Sequence, residues 1–173
     1  MWFTGLSGAG KTTVANVVEA ELEQRGHVVD HLDGDIVRTH LSKGLGFSKE
    51  DRDENIQRIG WVASRLARAG AAVIVSAISP YEATRRRIRA LVEAHAPFIE
   101  VYVATPLEEC ARRDPKGLYA AAFAGDIPDF TGVSAPYEEP TNPEVRIDTT
   151  GVSPSESAQL VLERLEQLTV SHA

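Results

Sequence analysis

The sequence predicts a three-layer α/β fold: a parallel five-stranded sheet covered by helices on both faces, with a lid segment attached. Three observations predict it. Short β-branched runs alternate with stretches of helical periodicity along the chain. The length of 173 residues, with 43% hydrophobic and 25% charged residues, is one soluble globular domain's worth. One region rich in glycine and proline, 112–140, then interrupts the alternation where a functional lid would.

The elements follow in chain order. A first strand is expected at Met1–Thr4, and the glycine-rich turn after it opens a helix over about Lys11–Arg25. A second strand, His27–Leu32, runs into Asp33-Gly34, an Asp-Gly pair of the kind that makes turns. The helix at Lys49–Ala69 carries Ile56, Ile59, Ala63 and Leu66 on one face. A third strand, Ala72–Ala77, precedes a helix at Tyr81–Ala94, and a fourth, Phe98–Ala104, precedes one at Leu107–Arg113. The last strand is Glu144–Asp148, and the last helix, Pro154–Leu168, places Ala158, Val161, Leu162, Leu165 and Leu168 on one face.

Three helix starts share one recipe: Ser79-Pro-Tyr-Glu82, Thr105-Pro-Leu-Glu108 and Ser153-Pro-Ser-Glu156. Each offers a hydroxyl as N-cap, proline at the first helical position and glutamate two further on. Between Arg112 and Pro140, Gly117, Gly125 and Gly132 lie among Pro115, Pro128 and Pro136. The chain is therefore expected to be a single domain over 1–173 with a lid at about 112–140.

A net charge of −7 argues against nonspecific nucleic-acid binding, although local arginines can still hold a small anion. No apolar run approaches the ~18 residues of a membrane span. No secretory leader is expected ahead of the first strand. Cys110 is the single cysteine, so no internal disulfide forms, which fits a cytoplasmic setting.

The stretch Gly5-Leu6-Ser7-Gly8-Ala9-Gly10-Lys11-Thr12 matches G-x-x-x-x-G-K-[ST], with a strand before it and a helix, opening through Thr13, after it. Its glycines let successive backbone N–H groups point at phosphate oxygens beside the positive end of the new helix. Lys11 reaches the terminal phosphates of ATP, and Thr12 offers its hydroxyl to Mg²⁺. The fold is thereby a P-loop NTPase fold. A GTPase would need a base-reading Asn-Lys-x-Asp segment, which is missing, and a motor or transporter ATPase would need more chain. A small kinase remains, with the acceptor at the carboxyl ends of the strands.

Directly after the second strand, Asp33 and Asp35 stand two apart, so along an extended segment they would point the same way. One could hold Mg²⁺ through water or take a proton from an attacking hydroxyl, and Arg38 could neutralise the acceptor. The plainer alternative is an Asp-Gly turn with Arg38 solvated.

Several stretches carry a family resemblance in a fixed order. They are Gly5–Thr12, Leu32-Asp-Gly-Asp35, Leu45-Gly-Phe-Ser48, Asp51-Arg-Asp-Glu-Asn55, Ile78-Ser-Pro-Tyr81, Arg113-Asp-Pro-Lys-Gly-Leu-Tyr119, Phe130-Thr-Gly132 and Ala135-Pro-Tyr-Glu138. Together they resemble the adenylylsulfate (APS) kinase family. The resemblance implies transfer of the ATP γ-phosphate to the 3′-hydroxyl of adenosine 5′-phosphosulfate, with Mg²⁺ as the metal and ATP and APS as the small-molecule partners. It implies catalytic roles for Lys11, Asp35 and Lys116, and a metal near Thr12 and Asp35. It implies acceptor binding by Asp33, Arg38, Phe47, Arg52, Asn55, Ile78, Ser79, Pro80, Lys116 and Phe130. Arg112 or Arg113 would flank the ATP adenine. Some relatives are fused to ATP sulfurylase, so an association with that enzyme, and a homodimer, belong to the same expectation.

The chain departs from the family at a few places. Ile36 stands where asparagine is common, Ala77 where phenylalanine is, and Pro128 where lysine is; the basic residues usual shortly after Pro-Tyr appear only as Arg85, Arg86 and Arg87, with Glu82 nearer. Family accounts treat Ser79 as a phosphorylated intermediate. The residues themselves make it a helix cap, and in-line transfer needs no covalent step. Two other readings stand beside the main one: a regulatory nucleotide-binding module, and a small P-loop kinase for another nucleoside or a sugar acid. The intact Lys11, Thr12, Asp35 and Lys116 weigh against the first. The pairing of Asp-Arg-x-Glu-Asn with Phe-Thr-Gly weighs against the second.

Overall fold

The strand at Trp2–Thr4 (β1) is the middle of a five-stranded sheet in the computed structural model, which describes residues 1–170. Residues 171–173 of the expected domain lie outside the described residues. On one side β1 pairs in parallel with Ala72–Ser76 (β3), and β3 with Val29–Asp33 (β2). On the other it pairs in parallel with Glu100–Val103 (β4), and β4 with Val145–Ile147 (β5). All five expected strands are present, shifted by a residue or two at their ends, with β2 running on to Asp33.

Alternation along each strand divides the core into two layers. Phe3, Ile74 and Val101 face one side of the sheet. There they meet Val14, Val18 and Leu22 of α1 (Lys11–Gln24) and Ala158, Val161 and Leu162 of α7 (Pro154–Val170). Trp2, Val73 and Val75 face the other side, against Ile56, Ile59 and Ala63 of α3 (Lys49–Arg68) and Ile88 and Val92 of α4 (Glu82–Glu93). The apolar stripes read from the two long helices are the faces that are buried.

Two helices were not expected. Gly34–His40 forms α2 directly after β2, where a turn was read. The reason is capping: the Asp33 carboxylate accepts from the backbone N–H of Asp35 at 2.9 Å and of Ile36 at 3.5 Å. Asp33 and Asp35 are therefore a helix cap and a first-turn residue, not neighbours on an extended strand pointing one way. The second is α6, Leu118–Ala124, inside the expected lid, after α5 (Leu107–Arg113). Its alanine-rich sequence is a strong helix former, bracketed by Gly117 and Gly125, both in the left-handed conformation.

The shared capping recipe also needs correction. Only Ser153 behaves as expected: its backbone N–H and hydroxyl donate to the Glu156 carboxylate, and its oxygen accepts from Glu156 N–H at 3.2 Å. α4 starts after Tyr81 and α5 after Pro106, neither with a side-chain cap. Ser79 and Thr105 spend their hydroxyls elsewhere.

Candidate active site

Because β1 is central, the loop that leaves it emerges at the middle of the sheet's carboxyl edge, and Gly5–Gly10 wraps there before α1 opens at Lys11, Thr12 and Thr13. The loop runs close against β4. A Cβ on Gly5, at φ 147°, would stand 2.4 Å from the Val103 carbonyl oxygen. Lys11 is buried, and its ammonium donates to the Gly5 and Leu6 carbonyls at 3.0 and 2.7 Å. Burial lowers its pKa to about 8, against the pull of nearby Cys110, Asp35 and Asp33. This is a pre-shaped cradle with one desolvated cation at its base.

Three side chains that the sequence did not mark as site residues brace the cradle. Thr105 and Thr149 both donate to the Ala9 carbonyl at 2.9 Å, and Tyr119 of α6 donates to the Ser7 carbonyl at 2.8 Å. Thr105 and Thr149 stand just beyond the ends of β4 and β5, the edge where ligands of such sheets bind, and that rule was the available signal. Of the two candidate arginines, Arg113 joins the site: it donates to the Thr149 hydroxyl at 2.8 Å and to its carbonyl at 3.0 Å. Arg112 points to solvent and pairs with Glu109.

α2 carries the opposing chemistry. Thr12 donates its hydroxyl to the Asp33 carboxylate at 2.7 Å. Asp35, exposed in the first turn of α2, pairs with Lys116 of the segment between α5 and α6. The expected metal partners were Thr12 and Asp35. The contact to Thr12 belongs instead to Asp33, because capping α2 turns that carboxylate back toward the loop.

Beyond α2 the acceptor candidates gather. The Phe47 ring is 60% exposed, with the Arg38 guanidinium 4.4 Å and that of Arg52 5.8 Å from its centroid. Arg38 also donates to the Leu45 and Gly46 carbonyls at 3.1 Å. Arg52, on α3, reaches the Thr131 hydroxyl and the Asp129 carbonyl, so it draws the Phe130 segment to the same side. Phe130 itself packs edge-on against Tyr119 at 5.1 Å. Asn55 is buried on α3, and its side-chain oxygen has no hydrogen-bond partner.

Ser79 sits differently. It is 2% exposed, at φ 41°, and its hydroxyl accepts from the Trp2 indole N–H at 2.9 Å. The hydroxyl is turned inward from the turn, while the Ile78 and Pro80 carbonyls accept from Thr4 and from Glu138 N–H. Of the departures from the family pattern, Ile36 is exposed, and Ala77 is buried beneath the start of α2, where a Cβ on Gly34 would lie 3.5 Å from it.

Among the described residues, no helix is long and apolar enough to cross a membrane, and no cluster of three or more His, Cys, Asp or Glu could hold a metal by itself.

The profile of the adenylylsulphate kinase family matches residues 1–148. An adenylyl-sulfate kinase of Picosynechococcus sp. is 54% identical over 168 residues, 97% of this chain and 93% of its own length. A probable bifunctional SAT/APS kinase of Sorangium cellulosum is 53% identical over 97% of this chain, which corresponds to 28% of its own length. The structure of an APS kinase of Mycobacterium tuberculosis, in complex with AMPPNP and APS, has a TM-score of 0.91 at 48% identity, covering 95% of both chains.

Proposed function

The chain belongs to the adenylylsulphate kinase family, and we propose that its transfer step takes place between Lys11 of the phosphate loop and the Asp35–Lys116 pair of α2 and the lid. The protein is an ATP-dependent kinase that moves the γ-phosphoryl group of ATP to the 3′-hydroxyl of APS, giving ADP and 3′-phosphoadenosine 5′-phosphosulfate. One observation carries the assignment of residues. Two side-chain contacts, Thr12–Asp33 and Lys116–Asp35, join the nucleotide half of the site to α2, so donor and acceptor groups face each other across one gap.

In that gap Asp35 takes the proton of the 3′-hydroxyl, whose oxygen attacks the γ-phosphorus as the bond to the β-γ bridging oxygen breaks. Lys11 and Lys116 meet the charge that spreads over the transferred group. The loop N–H groups hold the β- and γ-phosphates, and Arg113 with Thr149 borders the nucleotide at the loop's far side. Mg²⁺ fits the donor set: the Thr12 hydroxyl and Asp33 carboxylate are hard oxygen ligands, and a bound ion would neutralise phosphate charge. On the acceptor side, Arg38 and Arg52 supply cations for the phosphosulfate. Phe47 and Phe130 supply flat faces for the purine. The unpartnered buried oxygen of Asn55 asks for a donor, which an acceptor with amino and hydroxyl groups provides.

Ser79 contributes the shape of its turn and no phosphoryl group, since its hydroxyl is committed to Trp2. The buried lone thiol of Cys110 supports a reducing, cytoplasmic setting. The two-activity relative from Sorangium supports association with ATP sulfurylase, covalent or otherwise. The test is ADP release measured by a coupled assay with and without APS. APS-dependent release is expected, and a folded, ATP-binding protein that releases no more ADP with APS than without it refutes the reading.

A further inference from the structure

We propose that Arg85 is a positioning residue for the acceptor: a buried cation that locks the two walls of the APS pocket together without touching APS. The proposal rests on the acceptor reading given above.

Arg85 lies on α4 and is 2% exposed. Its guanidinium makes three hydrogen bonds to three separate segments. Nε donates to the Glu100 carboxylate of β4 at 3.0 Å, one Nη to the Ser79 carbonyl at 2.8 Å and the other to the Glu138 carbonyl at 2.7 Å. Ser79 belongs to the turn that carries Ile78 and Pro80, one wall of the pocket. Glu138 ends the limb that begins at Phe130, the other wall. Arg52 holds the start of that limb through Thr131 and Asp129.

The same two segments are joined at three further points around Arg85. Glu138 N–H donates to the Pro80 carbonyl at 2.8 Å, and the Glu138 carboxylate accepts from Glu82 N–H at 2.7 Å. Thr4, the last residue of β1, donates to the Ile78 carbonyl at 2.7 Å and stands 2.8 Å from the Tyr137 hydroxyl. The result is a clasp between 78–82 and 137–138, with Arg85 at its centre.

Core stability alone does not call for an arginine here. Burying an ion pair gains little over well-packed apolar residues of the same volume. What the planar fork adds is direction, because it fixes three acceptors in one plane. One of them, the Ser79 carbonyl, belongs to a non-glycine residue at φ 41°, a conformation that needs outside support. The clasp supplies that support.

The experiment is steady-state kinetics of Arg85→Lys in the full chain, varying APS and ATP separately, with wild type alongside. Lysine keeps the charge beside Glu100 but cannot bind three acceptors in a plane. The KM for APS should rise tenfold or more, with the KM for ATP within twofold of wild type. An unchanged KM for APS, or equal rises for both substrates, overturns the proposal. Should Arg85→Lys fail to fold, Glu100→Gln removes the charge that anchors Arg85 Nε to β4, while the Ser79 and Glu138 backbone carbonyls stay in place. It should raise the KM for APS at least threefold with the KM for ATP unchanged, and an unchanged KM for APS there overturns the proposal as well. Wild-type protein without APS-dependent ADP release would refute the acceptor reading itself, a different outcome from an active wild type with an indifferent variant.

Discussion

Lys116, on the segment after α5, forms an ion pair with Asp35 in the first turn of α2 and so ties that segment to α2. Both side chains are more than half exposed, so the pair is worth little to folding and is free to exchange partners. On the proposed mechanism, phosphates arriving beside Lys11 would compete for Lys116 and leave the Asp35 carboxylate to the acceptor hydroxyl. Asp35→Asn should lose about 10²–10⁴-fold in turnover, the usual range for a general base, while ATP affinity stays within about twofold. If the pair acts as a unit, adding Lys116→Met to Asp35→Asn should cost much less than Lys116→Met alone. Coupled-assay turnover of the four proteins decides this, and unchanged turnover in Asp35→Asn removes the residue from catalysis.

Ser79→Ala should keep most of its activity. The hydroxyl is buried against the Trp2 indole, 2.9 Å from its nitrogen, and donates to the Ala77 carbonyl at 3.3 Å, so among the described residues no side-chain base takes its proton. The substitution leaves the Trp2 N–H without its acceptor in the core, at a cost of about 1–3 kcal/mol. A lower melting temperature with kcat within about fivefold of wild type is the expected pattern. Activity lost by orders of magnitude in a folded protein would show that the serine takes part in transfer.

Phe47 projects an exposed ring flanked by Arg38 and Arg52, an arrangement suited to one face of a purine. Stacking of a base on an aromatic side chain is worth ~1–3 kcal/mol. Phe47→Ala should therefore raise the KM for APS on the order of tenfold or more and leave the KM for ATP alone. Phe47→Trp, which keeps a face, should restore most of the loss. Initial rates at varied APS and saturating ATP measure both, and a loss shared by the two substrates would assign Phe47 to the fold.

The sheet was legible because strand and helix periods differ so plainly, and the phosphate loop because its chemistry is local: glycines, a lysine and a threonine in one run. The stretch after β2 misled for an equally physical reason. Asp33-Gly34 satisfies a turn and a helix cap alike, and the cap that forms is joined by packing, with Val37 of α2 buried in the cluster that also holds Ile56 and Ile59 of α3. Proline at the second position suggested caps at Ser79 and Thr105. The Trp2 indole and the Ala9 carbonyl, 77 and 96 residues away in sequence, claimed those hydroxyls instead. Arg85 was visible only as one of three consecutive arginines. Which of them turns inward depends on Glu100 and Glu138, partners that no local pattern reveals.

Nucleotide affinity should fall as pH rises above 8, and Lys11 is the reason. Burial lowers its pKa to about 8, so near that pH the unliganded protein holds it only partly protonated. Phosphates bind the ammonium and not the amine, hence binding raises the pKa and draws a proton from solution. The direction follows from the sign: a base with a lowered pKa is charged below about 8 and loses its charge above it, so affinity is greatest on the acid side. Of the groups around it, Asp33 and Asp35 are carboxylates, Lys116 is a cation, and burial pushes the Cys110 thiol up. ADP titrations by calorimetry at pH 8.5, in buffers of different ionisation enthalpy, should show net proton uptake and a dissociation constant that worsens up to about tenfold per pH unit. Lys11→Met should bind more weakly and take up no proton. Uptake that persists in that variant would place the titrating group elsewhere in the site.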